Sequence, residues 1–137
     1  MTTPTRTLRV LLAALACLAW ACASSTPPTP YIDTSADFTG PTVEATASDT
    51  FTLTAPTGGW ELVLDQVIRD RHGVRAYATL TRPPADAMTT QALEPHALTI
   101  PGASGRPTAL YIRTLEADQK RPRAVPYRLA ATTTPRP

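Results

Sequence analysis

The residue types that carry catalysis or metal binding are scattered through this chain without the partners they need. Ser104, in Gly102-Ala-Ser-Gly-Arg-Pro107, has one flanking glycine out of register with the nucleophile elbow Gly-x-Ser-x-Gly and lacks its strand-turn-helix setting. A loop between strands is the expectation. Glu94 and His96 alternate, so on a strand they share a face and supply two metal ligands. A site needs one or two more, and no spacing supplies them, Asp86 being the nearest acid before them in the chain. Glu61 and Asp65 fall on one strand face about 13 Å apart at 3.3 Å per residue. That exceeds the roughly 5 to 9.5 Å of paired glycosidase carboxylates, so a solvated sheet face is expected. His72, in Asp70-Arg-His-Gly73, reads as a hairpin-tip residue. No catalytic residue, metal site or cofactor is therefore expected, and the chain does not read as an enzyme.

One cysteine does have a chemical context. The chain opens with two arginines as its only charges, Arg6 and Arg9, followed by the apolar run Val10 to Ala21. This is the layout of an export signal, residues 1–21, and about twelve apolar residues fall short of the roughly 20 that span a bilayer. The run ends Leu18-Ala19-Trp20-Ala21-Cys22-Ala23, which resembles the lipobox of bacterial lipoproteins, where a small residue precedes a cysteine that receives diacylglycerol before the signal is cut. Ala21 and Cys22 fit the pattern; Ala19 and Trp20 depart from the usual Leu and small residue. Cys17 is a second formal match, but it leaves an apolar core below the 7 to 15 residues of a signal. The resemblance implies lipidation at Cys22, with lipid as a partner, and a place in the cell envelope: the periplasmic face of the outer membrane if the cell is Gram-negative. The alternative is secretion, because Ala19-Trp20-Ala21 is also a small-x-small cleavage site.

Removing residues 1–21 changes the charge reading. The formal +2 becomes neutral when Arg6 and Arg9 leave, with 11 acidic residues balanced by the remaining basic ones. A neutral domain gives no support for nucleic-acid binding. Cys17 and Cys22 are the two cysteines of the chain, so the domain beyond them has no internal disulfide and depends on its core.

Residues 22–42 are dense in Pro, Ser and Thr, a composition that cannot bury enough apolar surface to order itself. They are expected to form a tether, about 20 residues reaching about 60 Å at about 3.1 Å per residue. Tyr31, Ile32 and Phe38 are the exceptions expected to add an edge strand or dock on the domain.

Over residues 43–131 short runs alternate with period two. Trp60, Leu62, Leu64 and Ile68 fall on one side of a strand, with Glu61, Asp65 and Arg69 opposite. After the turn, Val74, Ala76, Ala78 and Leu80 alternate with Arg75, Tyr77, Thr79 and Thr81. Further strands are expected at Phe51–Thr54, Ala97–Ile100, Ala109–Leu115 and Val125–Leu129, the last confined to an edge by Pro126. Residues 85–93 are the one helix candidate, stopped by Pro95, and 132–137 read as a disordered tail. The fold class is thus all-β, a small immunoglobulin-like β-sandwich of six to seven strands.

Two surfaces are candidates for binding. Arg75, Tyr77 and Thr79 occupy the polar side of the hairpin, where an exposed aromatic among threonines suits a protein, a cell-wall glycan or a small ligand, ordinary cross-strand packing of Tyr77 being the other reading. Lys120, Arg121 and Arg123 form a basic loop that reads as a solvated turn or as a contact for anionic lipid head groups or cell-wall polymers. Finally, Thr57-Gly-Gly-Trp60, Thr81-Arg-Pro-Pro84 and Met88-Thr-Thr-Gln91 with Pro95-His96-Ala-Leu-Thr-Ile100 resemble the layout of PrcB-like domains. These are the C-terminal domains of accessory lipoproteins that accompany surface proteases. The resemblance spans residues 57–100 and implies a module that binds and stabilises another envelope protein; it carries over no catalytic residue.

Overall fold

The computed structural model describes residues 28–119 and 122–134. The expected export signal, Cys22, Lys120, Arg121 and the last three residues lie outside them. The described chain forms seven strands: β1 (Thr42–Ala45), β2 (Thr50–Ala55), β3 (Glu61–Asp70), β4 (Gly73–Thr81), β5 (Glu94–Thr99), β6 (Thr108–Leu115) and β7 (Arg128–Thr133), with a 3-10 turn at Pro122–Ala124. They build two sheets, β1-β2-β5 and β3-β4-β6-β7, the small β-sandwich expected from the alternation.

The core lies between the sheets. Phe51, Leu53 and Ala55 of β2 meet Val74, Ala76, Ala78 and Leu80 of β4 and Leu110 and Ile112 of β6, while Thr50, Thr52 and Thr54 take the other side of β2, less buried than their neighbours. Ile100 and Ala103 after β5 add to the core. At one margin β1 lies beside β7; at the other β5 approaches β3. One pairing departs from the immunoglobulin pattern of antiparallel sheets. β4 and β6 are neighbours yet run parallel, because the chain spends the single strand β5 in the opposite sheet between them and returns in its original direction.

A bulge changes the facing of the β3–β4 hairpin. Leu62 and Leu64 oppose Leu80 and Ala78, but the register shifts between Leu64 and Gln66, after which Val67 opposes Ala76. The inserted residue reverses the inside-outside parity of the rest of β3. Val67, not Ile68, therefore packs on the core. Trp60 packs against it as expected, its indole N–H donating to Thr57 Oγ1 at 3.2 Å and the Arg82 guanidinium 5.7 Å from its ring centre.

Two other expectations are corrected. Residues 85–93 form turns instead of a helix; Met88 and Leu93 are exposed, so a short helix there would have no buried face to offset its nucleation. Part of the expected tether engages the domain. Ile32 bridges Tyr127 in parallel, Phe38 packs on the core and Thr42 already belongs to β1. At the other end β7 continues to Thr133, whose hydroxyl accepts from the Thr108 N–H at 3.1 Å and donates to the Ser48 carbonyl at 3.2 Å. Pro126 stands just ahead of β7, an edge strand as anticipated.

At the hairpin tip the Asp70 carboxylate accepts from the N–H groups of His72 (2.8 Å) and Gly73 (3.2 Å). Gly73 has φ 152°, and a Cβ there would overlap the Pro107 carbonyl oxygen, which accepts from Val74 N–H at 2.9 Å. Gly73→Ala should lower folding stability by about 1–3 kcal/mol, seen as a lower urea midpoint. Gly105→Ala, with φ 72° and open space around it, should cost about 1–2 kcal/mol from backbone strain alone.

Candidate functional site

The outer face of β3-β4-β6-β7 holds a connected cluster of polar and aromatic side chains. Its centre is Asp65, the residue at the β3 bulge. The Asp65 carboxylate accepts from the Thr79 hydroxyl on β4 and from the Tyr127 hydroxyl, at 2.9 Å, just before β7. Arg113 on β6 stands 3.8 Å from the same oxygen, donates through Nε to Thr79 Oγ1 at 2.8 Å and lies 4.7 Å over the Tyr127 ring. Charge-assisted bonds of this kind are stronger than neutral ones. Beside them Tyr77 stacks on Tyr111, centroids 5.3 Å apart, and meets Tyr127 edge-on at 5.3 Å.

This arrangement overturns the expected binding triad. Tyr77 is 1% exposed and Thr79 7%, covered by their neighbours on the outer face, so neither presents a free surface. Only Arg75 remains accessible, paired with Asp70 at 3.0 Å. Asp65, expected to be a solvated carboxylate, is the hub. The sequence does hold a signal for this: Asp65-Gln66 places two polar residues together between Leu64 and Val67, a break in the alternation that marks a bulge.

Burial, reinforced by the hydrogen bond and charge of Asp65, pushes the Tyr127 hydroxyl up to about 12; Arg113 opposes the shift. Burial also raises Tyr77, against the nearby Arg75. Asp70 is held below its usual range, first by the His72 N–H and then by Arg75.

A cleft of about 290 Å³ opens on this cluster. One wall is the segment Pro28-Thr29-Pro30-Tyr31; the other sides are Asp65, Gln66, Arg113, Arg123, Val125 and Tyr127. Asp33 secures the segment by pairing with Arg128 at 3.3 Å, and the Ser35 hydroxyl and amide hold the Asp33 carboxyl below its usual range, with Arg128 adding to the effect. The arrangement suits recognition. The Thr79 hydroxyl is committed to Asp65 and Arg113 and is closed off from any substrate.

The other candidate residues stay apart. Ser104 is exposed in the β5–β6 loop and His72 at the hairpin tip. Glu94 and His96 do share the inward side of β5, opposite Ala55 and Leu53, with Glu94 Oε2 4.0 Å from His96 Nε2. Among the described residues no third metal-ligating side chain joins them. Of the basic loop, Arg123 is exposed and lines the cleft; Lys120 and Arg121 lie outside the described residues.

Removing the Tyr127 hydroxyl tests the hub. Tyr127→Phe should cost about 1–2 kcal/mol, the loss of a hydrogen bond to a partly solvated charge, measured by urea denaturation. The fold holds this phenol protonated, so its contribution is complete below pH 10, the ordinary tyrosine value, and is lost as pH rises from there through about 12. The wild-type stability curve should therefore fall more steeply over this window than that of Tyr127→Phe, with a matching late tyrosinate step in the wild-type ultraviolet titration.

A family model described as PrcB C-terminal matches residues 51–101, from the second residue of β2 through β5. No curated protein and no solved structure matches the chain. The matched span supplies both strands of the bulged hairpin, and with it Asp65, Tyr77 and Thr79; Arg113 and Tyr127 come from beyond it.

Proposed function

We propose that this chain is an envelope lipoprotein, anchored through Cys22, whose β-sandwich binds and stabilises another exported protein as an accessory module. The observation that carries this reading is the match of residues 51–101 to the PrcB C-terminal family model, which coincides with the segment that resembles accessory domains of surface proteases. The export signal and the lipobox-like residues ahead of Cys22 support the location.

Within the matched span, Met88 and Leu93 on the β4–β5 loop are large exposed apolar side chains. Leu93 borders a groove with Trp60, Arg82, Pro41 and Pro56. Apolar anchors beside an aromatic and an arginine have the composition of interface hot spots, which supports assigning the partner to this loop and not to Tyr77 and Thr79. Glycan binding, the alternative drawn from an exposed tyrosine, loses its premise with Tyr77 buried.

Crosslinking in the native host followed by purification of the chain should recover an exported peptidase or another envelope protein, and that partner's steady-state level should fall when the chain is deleted. Met88→Asp with Leu93→Asp should reduce recovery at least about tenfold, as expected for losing roughly 1.4 kcal/mol or more at a hot spot. No partner above background would sink the accessory reading. Mass analysis of the mature N-terminus should find diacylglycerol on Cys22; an unmodified chain starting elsewhere would favour secretion.

A further inference from the structure

We propose that the outer face of β3-β4-β6-β7 is turned toward the membrane, held there by the segment docked across its cleft; this orientation rests on the lipoprotein reading of Cys22. The docking is specific. The Asp33 N–H donates to the Tyr127 carbonyl at 3.0 Å and the Tyr127 N–H donates to the Tyr31 carbonyl at 2.8 Å, Asp33 pairs with Arg128 at 3.3 Å, and Phe38 is packed on the core. Residues 28–31 then form the wall of the cleft facing Asp65, Gln66 and Arg123.

The consequence is one of length. Were all of residues 22–42 a free tether, about 60 Å of reach would leave the domain without a preferred side. The chain is bonded to the domain from Tyr31 on, so nine residue steps separate Cys22 from the first bonded residue, at most about 30 Å when fully extended. To bring the β1-β2-β5 sheet to the bilayer, that linker would have to round the margin of a sandwich whose sheets are about 10 Å apart, with further side chains on both outer faces. Little of its length would remain to reach the lipid. The cleft face is the side that a linker this short can hold against the surface. Arg123, exposed beside the cleft, places a cation where anionic head groups would lie, an attraction that decays within a Debye length.

Gln66 lines the cleft, whereas Thr52 lies on the far side of the sandwich, alternating with the buried Phe51 and Leu53 of β2. The mature lipidated chain, its Cys22 thiol consumed by the lipid, is given a single new cysteine as Gln66→Cys or Thr52→Cys and a fluorophore there. It is reconstituted in vesicles of phosphatidylethanolamine and phosphatidylglycerol carrying a head-group nitroxide. Quenching should be several-fold stronger at position 66 than at position 52, and a long Gly/Ser spacer inserted between Ser25 and Thr26 should abolish the difference without touching the domain. A protein that floats with the vesicles but shows equal quenching at both positions, or stronger quenching at 52, overturns the orientation alone. A difference that survives the spacer also overturns it, since the linker would then not be its cause. A protein with unmodified Cys22 that fails to float overturns the lipoprotein reading and the orientation together.

Discussion

One carboxylate fixes the outer face of the four-stranded sheet. Asp65 is in contact with Thr79, Tyr127 and Arg113, so it links β3, β4, β6 and the segment leading into β7. Each partner also makes a second contact. Thr79 accepts from Arg113, Arg113 covers the Tyr127 ring, and the Tyr127 backbone holds the docked segment through Ile32. A charge in such a place costs desolvation unless its lone pairs are used. Here two hydroxyl donors and the nearby Arg113 guanidinium offset that cost, while the side chain remains 27% exposed. The bulge makes this possible, because a regular strand has no extra residue to turn toward the outer face beside Gln66.

The same network explains how β4 is buried on both sides. Parallel neighbours tend to be covered on both faces, and β4 pairs in parallel with β6. Its inward side is aliphatic, Val74, Ala76, Ala78 and Leu80, so close packing with β2 needs only small and branched side chains. Its outward side has no second sheet to cover it. The tyrosines supply the cover themselves, Tyr77 lying against Tyr111 and Tyr127, with the Tyr127 hydroxyl on Asp65 and the Tyr77 hydroxyl beside Arg75. Such amphipathic rings can close a sheet face without another layer.

Much of this fold is legible in the chain, and the parts that are not share a cause. Alternation locates β2, β3, β4 and β6 because Phe51-Thr-Leu53 and Val74-Arg-Ala76 bury one face and spare the other, the relation that period two encodes. Ile32 and Phe38 stand out as apolar exceptions in a Pro/Thr-rich stretch, and those two residues do engage the domain. Tyr77 is misplaced by the same pattern because period two says which side a residue takes but not what covers that side; its neighbours Tyr111 and Tyr127 arrive from over 30 and about 50 residues away. Ile68 falls on the core side only if parity is carried through the bulge. The 85–93 segment fails as a helix for lack of a face to bury, a tertiary fact that local pattern does not contain. Asp65 lies at the intersection of these errors: a bulge residue whose partners come from three other elements.

The docked segment also separates the roles of the two ends of the molecule. The family match ends at residue 101, whereas Arg113, Arg123, Tyr127 and Arg128, which receive the segment or border its cleft, all lie beyond it. The span that resembles an accessory module therefore carries the exposed β4–β5 loop, and the remainder of the chain supplies most of the apparatus that grips the N-terminal segment. Two backbone hydrogen bonds and one partly solvated ion pair are a modest hold, but the hold does not act alone. Phe38 and β1 come within a few residues of it, so releasing residues 31–33 frees only a short loop whose far end stays packed, and the entropy gained is correspondingly small. A weak contact beside a strong one can thus keep residues 31–33 against the four-stranded sheet.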